Sequence, residues 1–351
     1  MSVSVVVVGL GQIGMGYDLH LAPEYVQSHA RAFAQHPRFS LMAGVDPSAS
    51  KRQAFELAYQ CPAYADIDAG LHGHRPDLVA VAVPTRLHLE TVSQLLSEVQ
   101  PRMVLCEKPL AYNVPDARAL VQICAARKVG LYVNYMRRSD PGALEILRRI
   151  VSGEIAGPLK GIAWYSKGFL HTGSHFVNLL ESWLGPVQDG QVLDPGRLWD
   201  GVDPEPDVRV TFSRGTVMFL AAKEEMFSHY TVELIAPNGR LFYERGGEQI
   251  TWQSAEPDPR LSGSTVLSGD PETVPSGMGR YQWNVVDQLA KAIDGKAANL
   301  CSGSEACVTL EAMDGILRKP AITNSSIGPD STTGNAGGDN RKEARPGQGV
   351  P

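Results

Sequence analysis

The chain has 351 residues, 43% hydrophobic and 20% charged, with 35 glycines and 24 prolines; these values suit a globular α/β or α+β protein and exclude collagen, a coiled coil and wholesale disorder. Its length exceeds the roughly 100 to 200 residues of one ordinary domain, so two domains are expected. A net charge of −6 offers no long-range attraction to a phosphate backbone or an anionic lipid surface, which argues against nucleic-acid and membrane partners.

From Ser2 to about Ala125, short apolar β-branched runs alternate with helical stretches, the pattern of βαβ units and a parallel sheet. In order, the predicted elements are a strand Val3 to Val8, a helix His29 to His36, a strand Phe39 to Val45 and a helix Ser50 to Tyr59. A short strand near Ala63 to Ile67 follows, then a strand Leu78 to Val83 ending at Pro84 and a helix Glu90 to Glu98. A strand Met103 to Cys106, a helix Val114 to Lys128 and a strand Leu131 to Asn134 complete the run. We assign residues 1–125 to a Rossmann dinucleotide-binding domain of α/β class.

Beyond Asn134 the rhythm changes to a helix Gly142 to Ser152, a strand Leu159 to Tyr165 and further alternating strands with turn residues between them. Val208 to Phe212, Thr216 to Ala222, Tyr230 to Leu234 and Arg240 to Tyr243 have antiparallel character, and Pro237-Asn238-Gly239 is a hairpin turn. Trp283 to Ile293 and Ser304 to Ile316 have helical spacing. Residues 126–323 are read as an α+β domain for substrate binding and oligomerisation; residues 324–351, nearly free of large apolar side chains, are expected to be disordered. That tail carries Asp330, Asp339 and Glu343 against Arg341, Lys342 and Arg345, so the net charge belongs to the rest of the chain.

The five cysteines are scattered, without a CxxC pair or a His/Cys spacing suited to zinc, and no stretch approaches the roughly 20 apolar residues that cross a bilayer. A soluble cytoplasmic protein without a metal is expected.

Three constellations carry chemistry. Gly9-Leu10-Gly11-Gln12-Ile13-Gly14 follows the first strand and precedes a helix: the first glycine turns the chain, the second admits a pyrophosphate to the backbone, and the third lets helix and strand pack closely. Asp46 ends the second strand, where a ribose diol would be gripped, and its carboxylate favours NAD over NADP; Ser48, Lys51 and Arg52 just beyond it keep NADP as the alternative. Glu107-Lys108-Pro109 leaves the Met103 to Cys106 strand at its carboxyl end, where ligands of open α/β sheets sit, so Lys108 is placed to hydrogen-bond a substrate hydroxyl. Spacing alone leaves a solvated surface lysine equally open. His171 and His175 begin an apolar helix four residues apart; with no third ligand in view, a proton relay is a better reading than a metal site.

Together with Pro84, Thr85 and His88 after the Leu78 to Val83 strand, these motifs make the sequence resemble the Gfo/Idh/MocA oxidoreductases, which include glucose-fructose oxidoreductase and inositol dehydrogenase, over nearly the whole chain to about Ala321. The resemblance implies a second domain with an open, mainly antiparallel sheet that often forms the oligomer interface, hence a homodimer or homotetramer. It also implies hydride transfer between a nicotinamide and a hydroxyl-bearing carbon of a sugar or polyol. Lys108 matches the family's catalytic lysine and His175 its catalytic histidine. Where the family usually has an aspartate, this chain has His171, which is expected to share the proton transfer.

The cofactor residues so expected are Gly9, Gly11, Gln12, Ile13, Gly14, Asp46, Pro84, Thr85, His88, Glu107 and Lys108. Tyr135, Arg137, Arg138, Tyr165 and Lys167, with His171, are expected around the substrate, and the three basic ones suggest an anionic or nucleotide-linked sugar. Two other readings stay open: an enzyme with tightly held, recycling NAD that acts as an epimerase or glycosidase, and a catalytically silent dinucleotide-binding protein.

Overall fold

The valine run Val3–Val8 (β1) is a strand covered on both faces, as its sequence requires: Val5 and Val7 enter one hydrophobic core, Val6 and Val8 another. The structure is a computed structural model and describes residues 2–71 and 73–321; the tail expected over 324–351 lies outside the described residues. After β1 come helix His29–Gln35 (α1), strand Phe39–Val45 (β2), helix Ala49–Tyr59 (α2), strand Ala63–Tyr64 (β3), helix Ile67–Leu71 (α3), strand Leu78–Val81 (β4) and helix His88–Glu98 (α4). Strand Met103–Cys106 (β5), helix Val114–Ala126 (α5) and strand Gly130–Val133 (β6) follow.

These strands pair in parallel in the order β6-β5-β4-β1-β2-β3, which reverses direction between β1 and β4 and opens a crevice there. Val8, Val81, Cys106 and Val133 are partners across neighbouring strands. The residues that follow them, among them Gly9, Glu107 and Asn134, therefore leave the sheet at one level.

The chain continues through helix Pro141–Ser152 (α6), strand Leu159–Tyr165 (β7), helix Ser174–Leu184 (α7) and strands Val187–Trp199 (β8), Asp203–Phe212 (β9), Gly215–Ala221 (β10), Thr231–Ala236 (β11), Gly239–Glu244 (β12), Gln249–Pro257 (β13), Thr265–Leu267 (β14) and Glu272–Val274 (β15). Helices Tyr281–Ile293 (α8) and Gly303–Leu317 (α9) close it. The second sheet runs β14-β13-β12-β11-β7-β10-β9-β8, with β15 on β13, and is antiparallel except where β7 pairs with β10. Helix α6 shows how its covering layer is specified: Asp140 caps it by accepting from the Ala143 N–H at 3.0 Å, Pro141 opens it, and Gly153 ends it at φ +81°. Its Ile146 and Ile150 pack under the sheet, each contributing about 1.5–3 kcal/mol.

Four expectations change. The glycine turn does not run into a continuous helix: the chain leaves after Gly14 and returns at Ser28, where the His29 and Ala30 N–H groups donate to Ile13 and Gly14 carbonyls. Residues 15–28 are thus an excursion inserted into one helical stack, and their polar, turn-rich composition hides the continuity. Strands β8, β13, β14 and β15 are not among the predicted ones; β8 contains Asp194-Pro195-Gly196 and is held by pairing with β9 through three one-residue register shifts, a tertiary contact that overrides local propensity. The 125/126 division does not coincide with the boundary between sheets, since β6 completes the first one and Cys301–Ser302 adds an antiparallel edge to it. Helices α8 and α9, expected to belong with the second domain, pack on the first sheet: Val285, Val286 and Leu289 join β1 and β4, while α9 puts Ala306 and Leu310 in the first domain's core and Met313 and Ile316 in the second's. Helical spacing gives a buried face but not its partner.

Candidate active site

A cavity of about 870 Å³ lies along the carboxyl ends of the first sheet. At one end is the glycine turn. Gly9 has φ +96°, and a Cβ there would lie 2.6 Å from the Ala82 backbone; one on Gly14 would lie 1.9 Å from the Gly9 carbonyl. Gly11 differs: a Cβ would meet nothing within 4 Å, so its bare face opens on the cavity. Asp46 is buried and accepts from the Leu10 N–H at 2.9 Å and the Ser48 N–H at 2.9 Å, which joins the end of β2 to the turn. Lys51 Nζ lies 3.4 Å from the same carboxylate, and Arg52 donates to the Asp46 and Pro47 carbonyls instead of reaching the cavity. An open glycine face, free turn amides and a carboxylate at the neighbouring strand end fit a dinucleotide's pyrophosphate and ribose diol.

Along the floor, Pro84 and Thr85 line the cavity after β4, whereas His88 is buried behind them as a strut: its ring nitrogens lie 3.0 Å from the Leu110 carbonyl and 3.1 Å from the Val83 carbonyl. Glu107 is buried and accepts from His29 Nε2 at 2.7 Å and Asn134 Nδ2 at 2.6 Å. Burial alone would raise its pKa, but these hydrogen bonds, with the charges of His29 and Lys108, hold it below the usual carboxylate value. The carboxylate thus pins three segments, α1, the end of β5 and the end of β6, beneath the cavity.

Lys108 enters the cavity from the end of β5, and its Nζ donates to the His171 carbonyl at 2.9 Å. Burial lowers its pKa to about 8; Glu107 and Asp203 oppose that and Arg137 adds to it. His171 is not on the helix that bears His175: it lies in a π-type turn, Gly168–Gly173, with its ring stacked on Trp199 at 5.1 Å. His175 is in the first turn of α7, buried, edge-on to Tyr135 at 5.8 Å. Burial, then Lys108 and Lys167, push His171 down to about 4; burial, then Arg137, Lys108 and His171, push His175 well below the ordinary imidazole value. Both rings are neutral at pH 7. Among the described residues His175 Nδ1 has no hydrogen-bond partner, so a buried imidazole at this wall keeps one ring nitrogen uncommitted.

The expected substrate residues divide. Tyr165 is a core residue whose hydroxyl donates to the Pro206 carbonyl at 2.6 Å. Arg138 pairs with Glu305 at 2.9 Å beside a separate pocket of about 310 Å³. Lys167 pairs with Glu224 at 2.8 Å. Arg137 is buried behind the site, donating to the Gly246 carbonyl and lying 5.0 Å over the Phe176 ring. None of these four lines the large cavity, so the basic triad does not converge on it. Sequence reasoning missed Tyr17, Met136 and Tyr281, which do line it, and Asn134, which holds Glu107. Asn134 directly follows a strand end and could have been found by position; Tyr281, some 145 residues from Met136 in sequence, carries no such signal. Among the described residues no group of three or more His, Cys, Asp or Glu could hold a metal ion, and no helix is long and apolar enough to cross a membrane.

A doubly wound sheet with a glycine turn, a strand-end aspartate and a cavity joining them to a lysine and two neutral histidines defines a dinucleotide-binding protein. Residues 3–135 match the oxidoreductase family with an NAD-binding Rossmann fold. Over these residues, its NAD-binding domain, the chain is similar to the Gfo/Idh/MocA oxidoreductases.

Among its relatives, inositol 2-dehydrogenase of Rubrobacter xylanophilus is 30% identical over 212 residues, 57% of this chain and 58% of that protein. Myo-inositol dehydrogenase Hyg17 of Streptomyces leeuwenhoekii is 30% identical over 152 residues, 43% of this chain and 42% of its own. These matches span about half the length of the curated relatives. The fold extends further: the WlbA dehydrogenase from Bordetella pertussis, solved with NADH and UDP-GlcNAcA, superposes with a TM-score of 0.70 at 18% identity, over 90% of this chain and 95% of that one.

Proposed function

We propose that the protein is an NAD-dependent dehydrogenase or reductase acting on a CH–OH carbon of a sugar or polyol. The observation that carries this reading is that Lys108, His171 and His175 line the same cavity as the glycine turn and Asp46. The nicotinamide, when bound, supplies the hydride acceptor or donor. The turn amides and Gly11's open face hold its pyrophosphate, and Asp46 its ribose. Lys51 beside Asp46 leaves room for NADP.

Lys108 donates to the reacting hydroxyl oxygen and stabilises the charge that gathers there. His175, neutral and lining the cavity, takes the hydroxyl proton in oxidation and returns it in reduction. His171 carries the carbonyl that fixes Lys108 Nζ, and its own ring walls the cavity. With Arg138 and Lys167 paired elsewhere, a neutral polyol suits the cavity better than an anionic sugar. The same reading makes the protein a homo-oligomer through the open face of the second sheet, where Ile162, Trp164 and Ile235 are exposed, and places it in the cytoplasm, where its five free cysteines stay reduced.

The test is NADH formation with a panel of free sugars, inositols and nucleotide sugars. Turnover of neutral polyols that is lost in Lys108→Met and His175→Gln supports the reading; NAD binding without turnover of any member of the panel refutes it.

A further inference from the structure

Two carboxylates of β9, Asp203 and Glu205, are almost fully buried, at 3% and 2% exposure, yet neither lines the cavity. Both point at the Gly168–Gly173 turn. Asp203 Oδ1 accepts from the Leu170 N–H at 3.0 Å and Oδ2 from the His171 N–H at 2.7 Å; Glu205 Oε1 accepts from the Gly168 N–H at 3.1 Å. Gly168 is shaped to admit Asp203: φ is +76°, and a Cβ would lie 2.1 Å from Oδ2. The same residue whose N–H reaches Asp203 turns its carbonyl to Lys108 Nζ at 2.9 Å. A peptide chain with its amides fixed by a buried anion and its carbonyl on a buried ammonium is held at both ends.

We infer that Asp203 is a positioning residue: acting through the backbone at His171, it holds Lys108 in the cavity in its charged form. The inference rests on the reading of Lys108 as the group that meets the substrate oxygen. The charged and titratable groups around Lys108 are Glu107 on its own strand end, Arg137 after β6, His171 in the turn, His175 on α7 and Asp203 on β9. Both histidines are neutral, so Glu107 and Asp203 are the anions that offset burial and Arg137. Glu205 is engaged by Arg197 at 2.8 Å, which makes it the natural control on the same strand.

The experiment reads Lys108 directly, without turnover. Lysine acylation by a limiting anhydride is followed by mass spectrometry from pH 6 to pH 10 in the full chain, in Asp203→Asn and in Glu205→Gln. Removing the Asp203 charge lowers the labelling midpoint of Lys108 by about one unit, which raises its labelling at pH 7 about fivefold, whereas Glu205→Gln moves it much less. An unchanged midpoint in a folded Asp203→Asn protein, or an equal shift in both variants, overturns the inference. A measurement on the unaltered protein stands beside these in case the variant fails to fold: the Leu170 and His171 amides exchange slowly with solvent deuterium, and exchange as fast as in an open loop overturns it equally. If the midpoint moves as expected while no sugar is turned over, Asp203 keeps its role and the dehydrogenase reading is the one that fails.

Discussion

Protonation of His171 gives a sharp physical test of the site. Its ring is half-buried against Trp199, and burial, followed by the charges of Lys108 and Lys167, holds its pKa down at about 4. In an unfolded chain an imidazole titrates near about 6.5, so between those two values the unfolded state binds the extra proton. The contribution to stability is complete above about pH 6.5 and is lost as the pH falls toward about 4. Between pH 7 and pH 5 that loss is about 2 kcal/mol, which for a chain of this size lowers the melting temperature by about 3 °C. The perturbation is His171→Gln, which keeps a planar polar side chain and removes the titration; the assay is thermal unfolding at both pH values and constant ionic strength. The unaltered protein is expected to lose about 3 °C more than the variant. Buried His36, His88 and His175, depressed in the same direction, are common to both proteins and cancel in the difference. Equal losses would refute the reasoning, because His171 would then titrate alike folded and unfolded.

Gly14→Ala forces a methyl against the Gly9 carbonyl and is expected to cost about 1–3 kcal/mol or more in a melt, whereas Gly11→Ala leaves the melt unchanged and weakens NAD binding at least about tenfold by calorimetry. Lys108→Met and His175→Gln each lower kcat/KM by about 10²–10⁴ while NAD still binds; loss of activity in His171→Ala alone would move the base from His175 to His171. Arg138→Ala and Lys167→Ala keep turnover of neutral polyols within a few-fold, and a hundredfold loss in either would restore cationic recognition of the substrate.

What could be read in the sequence depended on how local its cause was. The valine run, the three glycines and Asp46 act within one βαβ unit, so their spacing carries their roles, and each lies where that spacing put it. Lys108 was legible because the carboxyl end of a strand is itself a position in space. Arg138 and Lys167 misled because a basic side chain near a site is equally suited to a nearby acid, and Glu305 and Glu224 arrive from segments far along the chain. Tyr165 alternates inward on β7, and its hydroxyl is satisfied by the Pro206 carbonyl on β9, a pairing no local pattern announces. Asp203 was invisible for a related reason: it lies in an Asp-Pro-Glu-Pro-Asp stretch that looks like a loop, and only the long pairing with β8 makes it a strand.

The excursion over residues 15–28 separates two tasks that a continuous helix would tie together. It is clamped to itself and to α1: the buried Asp18 carboxylate accepts from the Gln27 and Ser28 N–H groups, and Arg31 Nη1 on α1 donates to the carbonyls of Leu21, Ala22 and Tyr25. The helical hydrogen bonds resume across the gap, and the Met15, Gly16 and Tyr17 N–H groups donate to the Gly11 and Gln12 carbonyls, so the excursion meets the glycine turn through backbone alone at its first residues. Tyr17, carried on that excursion into the cavity wall, is therefore open to exchange in a way that Gly14 is not. The cavity thus has one wall, at Tyr17, built from inserted residues and another, at Gly9 and Asp46, built where strands end.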